Sequence, residues 1–329
     1  MYLTAVPMST LSGPTVFSNL PVELLRDIFE HAATSDPTTA RMLSLVSSAI
    51  RHWTEPTLYH TVVLSSSRGL RSFLTAISHK PAEFVRTRVK HLGIFALGPV
   101  QIIDRVLHAC KGVASIACGF SLPGYKQMQG CRALQGLHSS REQHLLGLSC
   151  RDGWDTTVIA PSVTHLRIHV TSFSTGDPSL IPVVSNAENA PESAWQRLAR
   201  LSALTHLAIV YRHSPCTPPG EVFSALQRLL SLPETAPEGA KSPRLALVLV
   251  QVIGGLVARS AAGTAVDEIN AAAVKAGGPS LRIVAECAPT SVVRQWEVAV
   301  RAGPGVWDAA EEVVTKRLAV AASAAAVAQ

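Results

Sequence analysis

Aromatic residues are scarce in this 329-residue chain, 5% of the total, although 47% of it is hydrophobic. Ala, Leu and Val carry the apolar content, a balance that favours helices and aliphatic strands over an all-β sandwich. Dense basic clusters are missing too. The net charge is +6, yet the nearest thing to a patch is "RTRVKH" at 86–91, three charges with no aromatic among them. Nucleic-acid and membrane-surface binding leave a denser footprint, so neither partner is expected. The longest apolar run, "LALVLVQVIGGLVA" at 245–258, is interrupted by Gln251 and a Gly pair. It falls short of the ~18–20 residues that a membrane span needs.

The six cysteines (Cys110, Cys118, Cys131, Cys150, Cys216 and Cys287) are far apart, with no C-x-x-C pair. They read as buried or free thiols in a reducing compartment, not as a disulfide or zinc framework. The start, "MYLTAVPMSTLSGPTVF", has no basic n-region or clean apolar h-region. No signal peptide is expected, and the expected location is intracellular, cytoplasmic or nuclear. Catalytic signatures are absent as well: no G-x-x-x-x-G-K-[ST], H-E-x-x-H, G-x-S-x-G or Asp-rich calcium loop. No catalytic residue, cofactor or metal is therefore expected. The one metal-like spacing, His165 and His169, falls in a β-rich run where four residues span about 13 Å, too far for two ~2 Å bonds to one ion.

What is present begins with "LPVELLRDIFEHAA" at 20–33. Wound as a helix, its apolar residues sweep an arc of about 200°, wider than one small core uses. Leu24, Ile28 and Ala32 are expected to pack on Leu45, Ala49 and Trp53, leaving Val22, Leu25 and Phe29 outward. Thr38 or Thr39 is the expected cap of a second helix, "ARMLSLVSSAIRHW", with Met42, Leu45, Val46, Ala49 and Trp53 on one face. "EPTLYHTVVL" then turns at Pro56 and leaves through a β-rich exit.

The organisation that follows is a tail at 1–17, a helical unit at 18–64, a β–α region at 65–288, and a helix with an Ala-rich, fraying end at 289–329. Strands are expected at 89–96, 113–120, 133–138, 163–170, 204–211, 244–252 and 281–287. Helices fall between them at 100–110, 194–201 and 221–230. Strands alternating with helices imply parallel β–α units. Thr164-His165-Leu166 with Ile168 recurs as Thr205-His206-Leu207 with Ile209, and more faintly as His91-Leu92 with Ile94. Repeats of this kind mark a solenoid; here an irregular one, with a doubly wound sheet as the competing architecture. In register, His91, His165 and His206 would form a column opposite Leu92, Leu166 and Leu207. Val163, His165, Arg167, His169, His206 and Ala208 would then face outward, making His165, Arg167, His169 and His206 the candidates for receiving a substrate protein.

The 20–64 segment resembles the F-box. The motif stands as Leu20-Pro21-Val22-Glu23-Leu24-Leu25, Ile28-Phe29, Leu43 and Val46, Trp53, Pro56, Leu58-Tyr59 and Val62-Val63-Leu64. With β–α units behind it and a late "VWDAAEEVV", the chain is similar to the F-box proteins of mushroom-forming fungi. The resemblance implies a three-helix F-box followed by an irregular leucine-rich-repeat-like β–α solenoid with a parallel sheet and a helical C-terminus. It also implies a non-catalytic adaptor that docks a Skp-type linker of a cullin ubiquitin ligase and presents a target protein. Leu20, Pro21, Val22, Leu24, Leu25, Ile28, Phe29, Val46 and Trp53 are then the candidates for linker docking. Two other readings compete. One is a repeat scaffold whose F-box-like unit only caps the first strand. The other is an α/β enzyme, which would need a convergent polar pocket at the strand C-terminal ends.

Overall fold

The computed structural model describes residues 20–96, 98–119, 140–146, 159–170, 198, 201–214, 217–231, 245–254, 259–301 and 303–327. They form two compact units, Met1–His60 and Thr61–Gln329.

The first unit holds three helices: α1 (Val22–Ser35), α2 (Pro37–Leu43) and α3 (Ser48–His60). Pro21 leads into α1, its carbonyl accepting the Leu25 N–H at 3.1 Å, a place where its own missing N–H costs nothing. Asp36, not Thr38 or Thr39, caps α2 by accepting the Thr39 N–H at 2.8 Å. The expected single second helix is two. It breaks after Leu43, and Ser47 starts α3 by accepting the Ile50 N–H at 3.2 Å. The break takes Met42, Leu45, Val46 and Ala49 off any common face, and all four are exposed. Nor does the chain turn at Pro56: α3 runs through it to His60, at the cost of the one N–H that would have bonded the carbonyl of His52. The core is built from Ala33, Ala40, Ile50 and Thr54, with Phe29 stacked on Trp53 at 6.4 Å.

The second unit is organised by one parallel sheet whose eight strands lie in chain order. They are β1 (Thr61–Leu64), β2 (His91–Ile94), β3 (Ser115–Cys118), β4 (Glu142–Leu145), β5 (His165–Val170), β6 (His206–Arg212), β7 (Leu247–Ile253) and β8 (Ile283–Cys287). Each strand is added beside the one before it. A doubly wound sheet reverses direction at a switch point, and no reversal occurs here. The Thr-His-Leu-x-Ile repeat falls into register, His165 beside His206, Leu166 beside Leu207 and Ile168 beside Ile209. The expected strand at 133–138 lies outside the described residues, as does most of the expected helix at 194–201.

Helices α4 (Ser67–Ser78), α5 (Ala82–Arg88), α6 (Val100–Ala109), α7 (Pro219–Ser231) and α8 (Arg259–Ala276) connect the strands; α9 (Val292–Val300) and α10 (Asp308–Val327) close the chain. α10 continues through the Ala-rich segment expected to fray, as alanine's helix propensity allows. Among the described residues no helix is long and apolar enough to cross a membrane.

The sheet has two unlike faces. One carries Leu92, Ile94, Ile116, Leu166, Ile168, Leu207, Ile209, Val248 and Val250, all buried. Leu70, Ile103, Val106, Leu226 and Ile269 from the connecting helices are buried as well. Gln143, beside Ile116 and Leu166, is on this face too. Cβ alternation turns Ser115, Glu142, His144, His165, Arg167, His206 and Gln251 to the other face, which α9 and α10 cover. β1 and β8 are the edge strands, and on β8 the backbone groups of Ile283 and Ala285 are occupied. Asn270 donates to the Ala285 carbonyl at 2.8 Å and accepts the Ala285 N–H at 3.0 Å. Arg317 donates to the Ile283 carbonyl at 2.6 Å. Unpaired edges invite pairing with other chains. Asn270→Ala is expected to lower stability by about 1–3 kcal/mol, measured by urea unfolding.

Candidate functional site

Two surfaces carry the candidate residues. In the first unit, helix packing uses the Leu25–Phe29–Ala33 side of α1, one residue per turn, and leaves the neighbouring side uncovered. Val22, Leu24 and Ile28 are 56%, 49% and 48% exposed, and Met42, Leu45 and Val46 are more exposed still. Val22 faces out as expected, but the rest of the division is reversed. Leu24 and Ile28 face out, while Leu25 and Phe29 are half-buried, Phe29 against Trp53. The physical reason is ring size. The large rings of Phe29 and Trp53 stack on each other, both half-buried, and this contact turns the Phe29 side of α1 inward. Of the nine docking candidates, Pro21, Val22, Leu24, Ile28 and Val46 are exposed, and Leu20, Leu25, Phe29 and Trp53 are half-buried.

The second surface is the polar face of the sheet, and it is not open as expected. Arg167 is fully buried, as are Val163 and Ala208, and His169 retains 8% exposure. α9 and α10 lie over this face. Trp296 of α9 donates Nε1–H to Ser115 Oγ at 3.0 Å. Trp307, just before α10, donates to Glu142 Oε1 at 3.1 Å. Beneath them runs a cross-strand row of His91, Ser115, Glu142, His165 and His206. The histidine column is therefore real, but Ser115 and Glu142 separate His91 from the other two. The rings of His165 and His206 stack at 4.2 Å, 8° from parallel, with Trp307 edge-on to both.

Two residues along the strands, His144 and Arg167 lie side by side. His144 Nε2 is 2.8 Å from Glu142 Oε1. Burial disfavours the imidazolium and keeps His144 below its ordinary value against the pull of Glu142. Burial works against the Glu142 carboxylate too. The His144 ring outweighs it with the Trp307 and Ser115 donors, and holds the carboxyl well below the usual range. Arg167 donates Nη2 to Gln251 Oε1 and, at 2.8 Å, to Gln295 Oε1 of α9, and Gln251 passes a bond of 2.6 Å to Glu286. Burial lowers Arg167 to about 10, so it stays charged, partnered by neutral amides rather than a carboxylate.

Burial, then the Arg167 charge, pushes His169 down to about 4. Burial likewise lowers His165 and His206. A histidine with a lowered folded value is neutral in the native state and protonated in the unfolded chain below about pH 6.5. Its contribution is complete above that pH and is lost as pH falls toward the folded value. His169 alone is expected to remove about 2 kcal/mol of stability between pH 7 and pH 5. Urea unfolding at the two pH values measures this, and His169→Gln should flatten the dependence by that amount.

Sequence reasoning missed β4, Glu142, His144, Gln251, Glu286, Gln295, both covering tryptophans and Glu311. "EQHL" has little of the apolar character by which strands are recognised. Gln251 inside "LALVLVQV" was the available signal, a polar residue at a phase that a wholly apolar face would not tolerate. Compared with known proteins, the chain matches no family model and no curated sequence.

Proposed function

We propose that the chain is an F-box-type substrate adaptor, docking a Skp-type linker of a cullin ubiquitin ligase through its first unit and holding a target protein through the second. The observation that carries this reading is the apolar surface left on the helical unit after its own helices have packed. Val22, Leu24, Ile28, Met42, Leu45 and Val46 are six of the ten exposed large hydrophobic residues of the described chain, gathered in a span of 25 residues. Exposed apolar surface of this density marks an interaction site. The in-order parallel sheet supports reading the second unit as an irregular leucine-rich-repeat-like array. On this reading α9 and α10 cover His165, Arg167 and His169, and target recognition falls elsewhere on the unit. No bond chemistry is assigned to the chain.

The test is co-expression of the full chain with a Skp-type linker, followed by purification of the complex. Stable co-purification of wild type, lost on charging the outer side of α1, supports the reading. Equal recovery of both, or of neither, rejects it.

A further inference from the structure

Along one strand His165 and His169 are too far apart to share an ion, but the distance between strands is short. His165 and His206 sit opposite each other on β5 and β6, and α10 brings Glu311 to them, with Glu311 Oε1 3.1 Å from His206 Nε2. One ligand atom from each of the three residues lies within 4.8 Å of the others. We infer that His165, His206 and Glu311 form a Zn2+ site that fastens α10 to the sheet, with water completing the coordination.

The hydrogen bonds of the two rings support this in two ways. Each Nδ1 is already engaged by the hydroxyl of the preceding residue, Thr164 Oγ1 at 2.9 Å and Thr205 Oγ1 at 2.8 Å. That leaves Nε2 as the ligand atom on both rings. Each hydroxyl also reaches a backbone carbonyl, Arg141 O at 3.2 Å and Thr164 O at 3.1 Å. Donating there, it accepts the imidazole Nδ1–H, the outer-sphere hydrogen bond that metal-bound histidines require. The Thr-His repeat thus supplies the same supported ligand twice, one strand apart.

Glu311 is held by helix geometry. Its N–H begins α10 by donating to the Trp307 carbonyl at 2.9 Å. Residues i and i+4 share a helix face, so the indole that stands edge-on to both imidazoles and the carboxylate arrive together. Half of the Glu311 side chain is exposed and His206 keeps 15% exposure, which gives an ion and a water a path of entry. Two imidazoles and a carboxylate with an open position are a known donor set for Zn2+. A tetrahedral ion with bonds of ~2.0–2.1 Å sets its ligand atoms about 3.4 Å apart. Glu311 Oε1 and His206 Nε2 are already at 3.1 Å, so binding requires the two stacked imidazoles to tilt until their Nε2 lone pairs converge on the ion.

The experiment uses the full, tag-free chain, stripped of metal by chelation and dialysis. Co2+ is titrated first, then displaced with Zn2+, and thermal unfolding is followed with and without Zn2+. The expected result is one Co2+ per chain with the visible bands of tetrahedral cobalt, quenching of Trp307 fluorescence, and a Zn2+-induced rise in Tm of about 3 °C or more. Glu311→Gln sits on an exposed helix position and should fold normally, yet bind at least about tenfold more weakly and lose the Tm shift. His206→Ala should lose binding altogether, while His91→Ala, in the same row but outside the cluster, should behave as wild type. The inference is overturned if wild type binds no stoichiometric Co2+, or if Glu311→Gln and His206→Ala retain the affinity and Tm shift of wild type.

Discussion

Trp296→Ala is expected to destabilise the sheet unit by about 3–5 kcal/mol, read as a lower midpoint in urea unfolding followed by far-UV circular dichroism. Trp296 is fully buried. Its ring meets Phe95 edge-on at 5.9 Å and His144 at 6.4 Å, and its Nε1–H is bonded to Ser115 Oγ. The sheet makes room for it at Gly93, where a Cβ would come within 2.6 Å of Trp296 Cζ3 and 2.7 Å of Phe95 Cε2. Gly93→Ala is therefore expected to destabilise wild type by about 1–3 kcal/mol through overpacking. In the Trp296→Ala background the added methyl enters the space that the indole vacated. The two substitutions should couple by about 1 kcal/mol or more, the double variant being less damaged than the sum of the singles. Additive effects would show that α9 does not rest on β2 as described.

Leu24→Asp combined with Ile28→Asp is expected to abolish recovery of the Skp-type linker while leaving the unfolding curve of the chain unchanged. Both residues are about half exposed, so charge there costs the free protein little. At an apolar interface each buried, unpaired carboxylate costs several kcal/mol, and two together remove a micromolar complex from any pull-down. Phe29→Asp makes the contrast. It places a charge against Trp53 at the helix–helix contact of the small unit, and should both lose the linker and melt the three helices. A linker-binding defect in Phe29→Asp without loss of helicity would mean that Phe29, not Leu24 and Ile28, faces the partner.

Much of the architecture was legible in advance because strand and helix periodicities are local. The strands at 91–94, 115–118, 165–170 and 283–287 fall inside runs recognised from their β-branched and aliphatic content, and those at 206–212 and 247–253 overrun theirs by one residue. The Thr-His-Leu-x-Ile repeat foretold the register of β5 and β6, since a parallel pair that buries the same leucine must align the same histidine. β4 was hidden because "EQHL" is polar, and its Glu142 is satisfied by Trp307, a partner 165 residues away in sequence, while Gln143 is satisfied locally by the buried Ser140. Which side of α1 faces inward was also beyond local reasoning. The pattern shows a wide apolar arc, but the choice of the Phe29 side depends on where Trp53 of α3 lies.

By itself, then, the sequence determined the alternation of strand and helix, the parallel direction of the sheet, the surplus apolar surface of "LPVELLRDIFEHAA", and the histidine column. Each follows from side-chain chemistry at spacings of two or three to four residues. Only the tertiary structure decided that the column is covered. The covering comes from α9 and α10, more than a hundred residues after β5, and their docking is set by the fit of Trp296 over Gly93 and Trp307 against the stacked imidazoles. Contacts of such sequence separation leave no periodic signal, and a face that reads as an open binding surface from its own strands becomes an interior one.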